Sequence, residues 1–334
     1  MTRGGLGLGK ILGIPVRVDL SWAMILVWIT WSLGGSHFPT RYPTWSPTLV
    51  WGMAVASSAL FFASVLLHEL GHSLVARAQG LTVTEITLFI FGGASRIADE
   101  PRSPWNELSL AGVGPATSIT LAGVCGLTYL AVRDVSEPAT ALVLYLAWIN
   151  LSLGLFNLIP GFPLDGGRML RALLWGARRD ISWATRLASY VGRGVAALAV
   201  LLGIYLSFAG DWVSGLWVVL VGFFLDGAAR SSYQQLTLRQ LLDGHVASEI
   251  MTDECHLLPP QLTLDVFIEH YVAVQGVRRC YVVGTRDALV GLLALADLQR
   301  VPRDRWPTTH VGDVAVPLER LRAVAPDTPV WEAL

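Results

Sequence analysis

Six apolar stretches, most of them long enough to cross a bilayer, constrain this chain more than any other feature. They run roughly over Leu20–Leu33, Thr48–Leu67, Leu108–Val132, Thr140–Ile159, Leu187–Phe208 and Trp212–Leu225. A spanning helix needs ~20 mostly apolar residues, so the first and last, which are short, must draw on their flanks. Inside hydrocarbon the backbone has no water to bond, which leaves the helix as the form such segments take. Composition agrees: 53% of the 334 residues are hydrophobic and 15% charged, where a soluble globule carries ~25% charged. A soluble enzyme is excluded. No small-residue cleavage site follows the first stretch, which reads as a retained helix and not as a signal peptide. The expected fold is a polytopic α-helical membrane protein with six transmembrane helices.

Lys and Arg in the connecting segments set the orientation. Arg3, Lys10 and Arg17 precede the first helix, Arg77, Arg96 and Arg102 follow the second, and Arg168, Arg171, Arg178, Arg179 and Arg186 follow the fourth. The opposite segments hold Arg41 and Arg133. Both termini are therefore expected in the cytosol. A net charge of −1 gives no pull toward nucleic acid, and Cys125, Cys255 and Cys280 form no C-x-x-C pair.

The character changes near residue 230, which divides the chain into a membrane domain, 1–230, and a charged cytosolic region, 231–334. Val246–Arg300 reads as an α/β unit: Met251-Thr252 opens it, Thr263-Leu264-Asp265 starts a helix, and strands Cys280–Val283 and Leu289–Leu292 precede a helix at Ala296. An echo begins at Val311, where Pro326–Val330 repeats the register of Pro260–Leu264 about 65 residues on. These residues resemble a pair of cystathionine-β-synthase (CBS) modules, the first over about 246–300 and the second, incomplete, from about 311. The resemblance implies an adenine-nucleotide site or pairing into a homodimer.

The second helix is expected to end in His68-Glu69-Leu70-Gly71-His72. Histidines at i and i+4 share one helical face and can grip one zinc ion, and the Glu beside them can take a proton from water on the metal. Ionisable groups directly after about 20 uncharged residues are costly in a membrane and mark function. A catalytic zinc takes three protein ligands, and with the next His at His245 the third is expected to be a carboxylate. Glu85, Asp99, Glu100, Glu107, Asp134, Glu137, Asp165, Asp180, Asp211 and Asp226 are the candidates before the soluble part. Asp165 stands apart. It closes Asn157-Leu158-Ile159-Pro160-Gly161-Phe162-Pro163-Leu164-Asp165-Gly166-Gly167-Arg168, whose prolines and glycines break the helix and let a carboxylate turn back into the bundle.

Asn150 and Asn157 lie on nearly one face of the fourth helix, and either could donate to a scissile carbonyl; Asn157, nearer the break, is favoured. Leu81–Ile97 alternates with β-branched residues and has Gly92-Gly93 at a turn or bulge, so a small membrane-associated hairpin or sheet is expected there. Its edge could hold an extended peptide, with Gly92 and Gly93 beside it.

Together, His68-Glu69-Leu70-Gly71-His72, Asn157…Leu164-Asp165-Gly166-Gly167 and the Gly13–Asp19 run into the first helix resemble the site-2 protease family of intramembrane zinc metalloproteases. A six-helix core with C-terminal CBS modules is the arrangement of its archaeal and sporulation-type branches. The resemblance implies one Zn2+ per chain held by His68, His72 and Asp165, Glu69 as general base and Asn157 as a substrate-positioning residue. It implies cleavage of a membrane-spanning substrate, such as an anti-sigma factor or a membrane-tethered transcription factor, in regulated intramembrane proteolysis. A CBS-gated transporter and an inactive zinc scaffold are the alternative readings.

Overall fold

The computed structural model describes residues 5–90, 92–242, 244–251, 256–273, 280–285 and 288–333. Arg3, Thr252 and Cys255 lie outside them. Contacts divide the chain into two units, Met1–Thr237 and Leu238–Leu334.

The first unit opens with a hairpin, β1 (Leu6–Ile11) and β2 (Ile14–Val18). Its two-residue turn places Leu12 at φ 49° and Gly13 at φ 81°, the mirror-image turn that matches strand twist. Asp19 then caps α1 (Leu20–Ser32) by accepting from the backbone N–H of Ser21 at 2.9 Å. At 13 residues α1 rises roughly 20 Å, short of a span. Helical backbone continues from it through a π turn, Leu33–His37, into α2 (Phe38–Arg41).

Helix α3 runs from Pro47 to Ala78, beyond the apolar stretch that announced it. Hydropathy fades at His68, but the helix ends only where Gly80 takes φ +78° and Leu81 N–H reaches back to Ala76 O at 3.0 Å, a glycine-closed C-terminus. The His68–His72 motif is therefore interior to the helix and not at its end.

Strands β3 (Val83–Phe89) and β4 (Gly92–Ile97) follow. The expected hairpin is half of a four-stranded sheet in the order β1-β2-β3-β4, with β2 and β3 parallel and β4 at one edge. Ile14, Val16, Val18, Ile86 and Leu88 are buried along its inner face, and Val18 and Leu88 pack on Val65 of α3.

Helices α4 (Pro104–Val132) and α5 (Glu137–Asn157) form the rest of the inner bundle, and residues 158–164 then break the helical path before α6 (Asp165–Arg178). Helix α7 (Ile181–Phe208) and α8 (Trp212–Leu242) as far as Thr237 complete the unit. Among the described residues five helices, α3, α4, α5, α7 and α8, are long and apolar enough to cross a membrane.

The second unit holds a sheet in the order β5 (Leu257–Leu258), β6 (Cys280–Gly284), β7 (Leu289–Ala294), β8 (Val316–Pro317). Leu258, Leu264, Phe267, Tyr281, Val283, Leu293 and Val311 form its core. A helical run from Leu264 to Val272 and a 3-10 turn at Leu295–Arg300 occupy the two expected helix positions. Two isolated bridges, Thr263–His310 and Val246–Pro329, each pair a residue just before a helix with a residue far along the unit.

Candidate metal centre

One turn of α3 places His68 and His72 on the same face, and α6 begins with the carboxylate of Asp165 opposite them. Nε2 of each histidine lies 3.1 Å from Asp165 Oδ2, and the two Nε2 atoms are 3.3 Å apart. His68 and His72 are buried.

Helix α4 orients both rings. Nδ1 of His72 donates to Leu110 O at 2.7 Å; a carbonyl can only accept, so in the neutral ring Nε2 keeps its lone pair. Nδ1 of His68 lies 2.9 Å from Ser118 Oγ, which accepts from it in the same tautomer. Two imidazole lone pairs and a carboxylate oxygen thus converge on one point, within 4.8 Å of one another. Acceptors brought together in this way repel one another unless a cation lies between them, and His, His and Asp with outer partners fixing the rings is a set that suits zinc. Space for it comes from Gly114, midway between Leu110 and Ser118. A Cβ there would stand 2.2 Å from His72 Nε2 and 2.6 Å from His68 Nε2.

The loop that delivers Asp165 is held backbone against backbone. A Cβ on Gly192 of α7 would fall 2.2 Å from Phe162 O, and one on Gly167 would fall 2.2 Å from Gly161 C. Beneath it, Arg171 of α6 forms an ion pair with Glu107 of α4, whose side chain is fully buried. As the first residue of α6, Asp165 also carries its charge where the helix dipole favours an anion.

The other carboxylates considered as ligands have different partners. Arg17 and Arg96 flank Glu85, Asp99 accepts from Thr82 N–H, and Trp45 Nε1 donates to Glu137. Asp134 pairs with Arg133, Asp180 and Asp211 accept from backbone N–H groups of Ser182 and Ser214, and Asp226 binds Arg193 and Arg230.

Glu69 faces the edge strand β4. Ser95 Oγ donates to its carboxylate at 2.8 Å, with Ser73 Oγ behind at 3.2 Å. Gly93 admits it, for a Cβ there would lie 2.3 Å from Glu69 Cγ. A cavity of about 260 Å³ opens onto His68, Glu69, His72 and Asp165, and Gly92, Gly93 and Asn157 share its lining. Asn157 Nδ2 donates to Leu153 O of its own helix. Asn150 is instead buried against Ser64. Sequence reasoning missed Leu110, Gly114, Ser118, Ser95 and Arg168, which also lines the cavity. Of these only Arg168, directly after the Leu164–Gly167 run, stood where a motif could have drawn attention to it.

A model of peptidase family M50 matches residues 56–134 and 132–202. The Rip3 protein of Mycobacterium tuberculosis, named as a zinc metalloprotease, is 36% identical over 335 residues, covering 99% of this chain and 85% of Rip3. This chain belongs to peptidase family M50. The sll0528 protein of Synechocystis, also named as a zinc metalloprotease, is 36% identical over 92% of the chain and 80% of its own length. A site-2 protease structure from Methanocaldococcus jannaschii is 28% identical and covers 69% of this chain and 95% of that one, at TM-score 0.49. The M50, or site-2 protease, family makes this chain a multi-pass membrane zinc metalloprotease.

Proposed function

We propose that this protease hydrolyses a peptide bond in or beside a transmembrane segment of its substrate, with His68, His72 and Asp165 holding one zinc and Glu69 as general base. The convergence of the three acceptor atoms in a cavity shared with Glu69 carries this reading. Zinc, when bound, supplies Lewis acidity toward water and the scissile carbonyl. Glu69 takes the proton of the attacking water and delivers it to the leaving amine nitrogen, and Ser95 keeps its carboxylate turned into the cavity. Nδ1 of His72, bonded to Leu110, holds its ring in one tautomer through the cycle.

A transmembrane helix hides its amides in its own ladder, so the substrate must unwind to be cut. Edge strand β4 offers it a register as an extended strand, with Gly92 and Gly93 leaving room at the rim. Asn157 positions the substrate carbonyl after releasing Leu153. The first helical run, Leu20–Arg41, serves as the sixth span, and both termini lie in the cytosol on the side of the Arg-rich segments. Cleavage then takes place in the cytosolic half of the bilayer and frees a cytosolic fragment, which suits an anti-sigma factor or a membrane-tethered transcription factor. The two bridges within Leu238–Leu334 favour a tandem CBS pair there, as an adenine-nucleotide sensor or a dimer contact.

The deciding experiment pairs zinc content with cleavage of a co-expressed membrane substrate. Glu69→Gln should keep about one zinc per chain and lose cleavage; His72→Ala and Asp165→Ala should lose both. Cleavage by Glu69→Gln at the wild-type rate would remove the general-base role, and zinc retained in Asp165→Ala would remove the third ligand.

A further inference from the structure

Helices α7 and α8 carry a second polar cluster that the protease reaction does not use. Arg186, Ser189, Tyr190 and Arg193 fall on one face of α7, at spacings of three and four residues, and Arg230 and Tyr233 face them from α8. Together they line a cavity of about 120 Å³. Asp226 is the acid among them, with Arg193 Nε at 3.2 Å and Arg230 at 2.7 Å, so three guanidinium groups stand against one carboxylate. Among the described residues Arg186 forms no ion pair. Ser189 is 4% exposed and its Oγ has no hydrogen-bond partner among the described residues. A buried hydroxyl without a partner costs about 1–3 kcal/mol, so this one, lining a basic cavity, points to an acceptor that the protein does not itself provide.

The cluster is also the polar head of a longer groove. Tyr190, Arg193 and Arg230 continue into a second cavity between the same helices, whose walls are Ala197, Val200, Leu201 and Phe223. Gly194 leaves the groove open, since a Cβ there would meet nothing within 4 Å. Leu201 and Phe223 on this face are each 63% exposed, so in a membrane it would be turned to lipid. A basic pocket at the end of an apolar groove on a lipid-facing surface has the shape and charge of an anionic phospholipid.

We propose that the α7–α8 face binds one anionic phospholipid. Its phosphate accepts from Arg186, Arg230 and Ser189, and an acyl chain lies along Ala197, Val200 and Phe223. The Asp165 loop meets α7 at Ala188 and Gly192, and Ala229, which lines the cavity, packs with Phe162 of that loop.

The test uses the full-length zinc-loaded protein in mixed micelles, with bound lipid counted by native mass spectrometry. The probes are phosphatidylglycerol, phosphatidylcholine and inorganic phosphate. One phosphatidylglycerol per chain is expected, retained against excess phosphatidylcholine. Arg186→Gln and Arg230→Gln should each weaken it roughly fivefold. Ala197→Trp, which fills the groove and leaves every charge in place, should also release it. Zinc content, read on each variant, reports whether the fold is intact. Equal retention of phosphatidylcholine, unchanged binding in Arg186→Gln together with Ala197→Trp, or displacement of the lipid by millimolar inorganic phosphate would overturn the assignment; the last would leave a free-phosphate site.

Discussion

Small side chains govern the metal centre as firmly as the ligands do. Gly114 is an interior helix position where alanine is ordinarily favoured by about 1 kcal/mol. Here its methyl group would enter the space of both imidazoles. Gly114→Ala should therefore leave the bundle folded and strip it of zinc, read as metal content against an unchanged helical circular-dichroism signal. Ser95 acts on Glu69 in a subtler way. A hydrogen bond to a charged group is worth about 1.5–3 kcal/mol, so Ser95→Ala should slow cleavage roughly ten- to a hundredfold at full zinc content. A loss of zinc in that variant would place Ser95 in the metal site and not beside the base.

Between elements, the Asp165 loop depends on two contacts of different kinds, glycine-to-backbone packing on α7 and the buried Glu107–Arg171 pair joining α4 to α6. Removing one member of a buried pair strands the other and costs about 3–5 kcal/mol. Arg171→Met should lower the melting temperature accordingly, and Glu107→Leu added to it should restore much of the loss, as a double-mutant cycle would measure. These contacts also mark what could be read from the sequence. His68, Glu69 and His72 were legible because helical periodicity is local, and the Asp165 loop because Pro160, Gly161 and Pro163, crowded into four residues, cannot continue a helix. Leu110, Ser118 and Gly114 were not, because a carbonyl, a hydroxyl and a missing methyl acquire meaning only through the helix packed against them. The β1–β2 hairpin escaped notice for another reason: Leu6–Ile11 is glycine-rich and exposed along its length, so it lacks the buried-and-exposed alternation that betrays a half-buried strand. The length of α3 was under-read because hydropathy reports the surroundings of a helix, whereas Gly80 sets its end.

For the whole molecule, the apolar stretches gave the helical membrane architecture, while the count of spans turned on the first helical run, where Leu20–Ser32 is too short alone and a π turn carries it onward. His68, His72 and Asp165 all lie within the first unit. A chain ended after Leu242 should keep about one zinc, measured by atomic absorption on the purified protein. In the full chain, a chelator should abolish cleavage and lower the melting temperature, since a metal that binds the native state stabilises it; added zinc should restore both.

Leu110, Gly114 and Ser118 repeat every four residues along α4, in step with His68 and His72 on α3. One helix is thus a ruler against which both imidazole rings are set. Sliding it lengthwise by a fraction of a turn would move both rings off their marks together. Tilting is among the ways a helix accommodates a bilayer thicker or thinner than its apolar length, and a tilt of α4 against α3 would displace both rings as sliding would, so the thickness of the host membrane bears on the proposed zinc site.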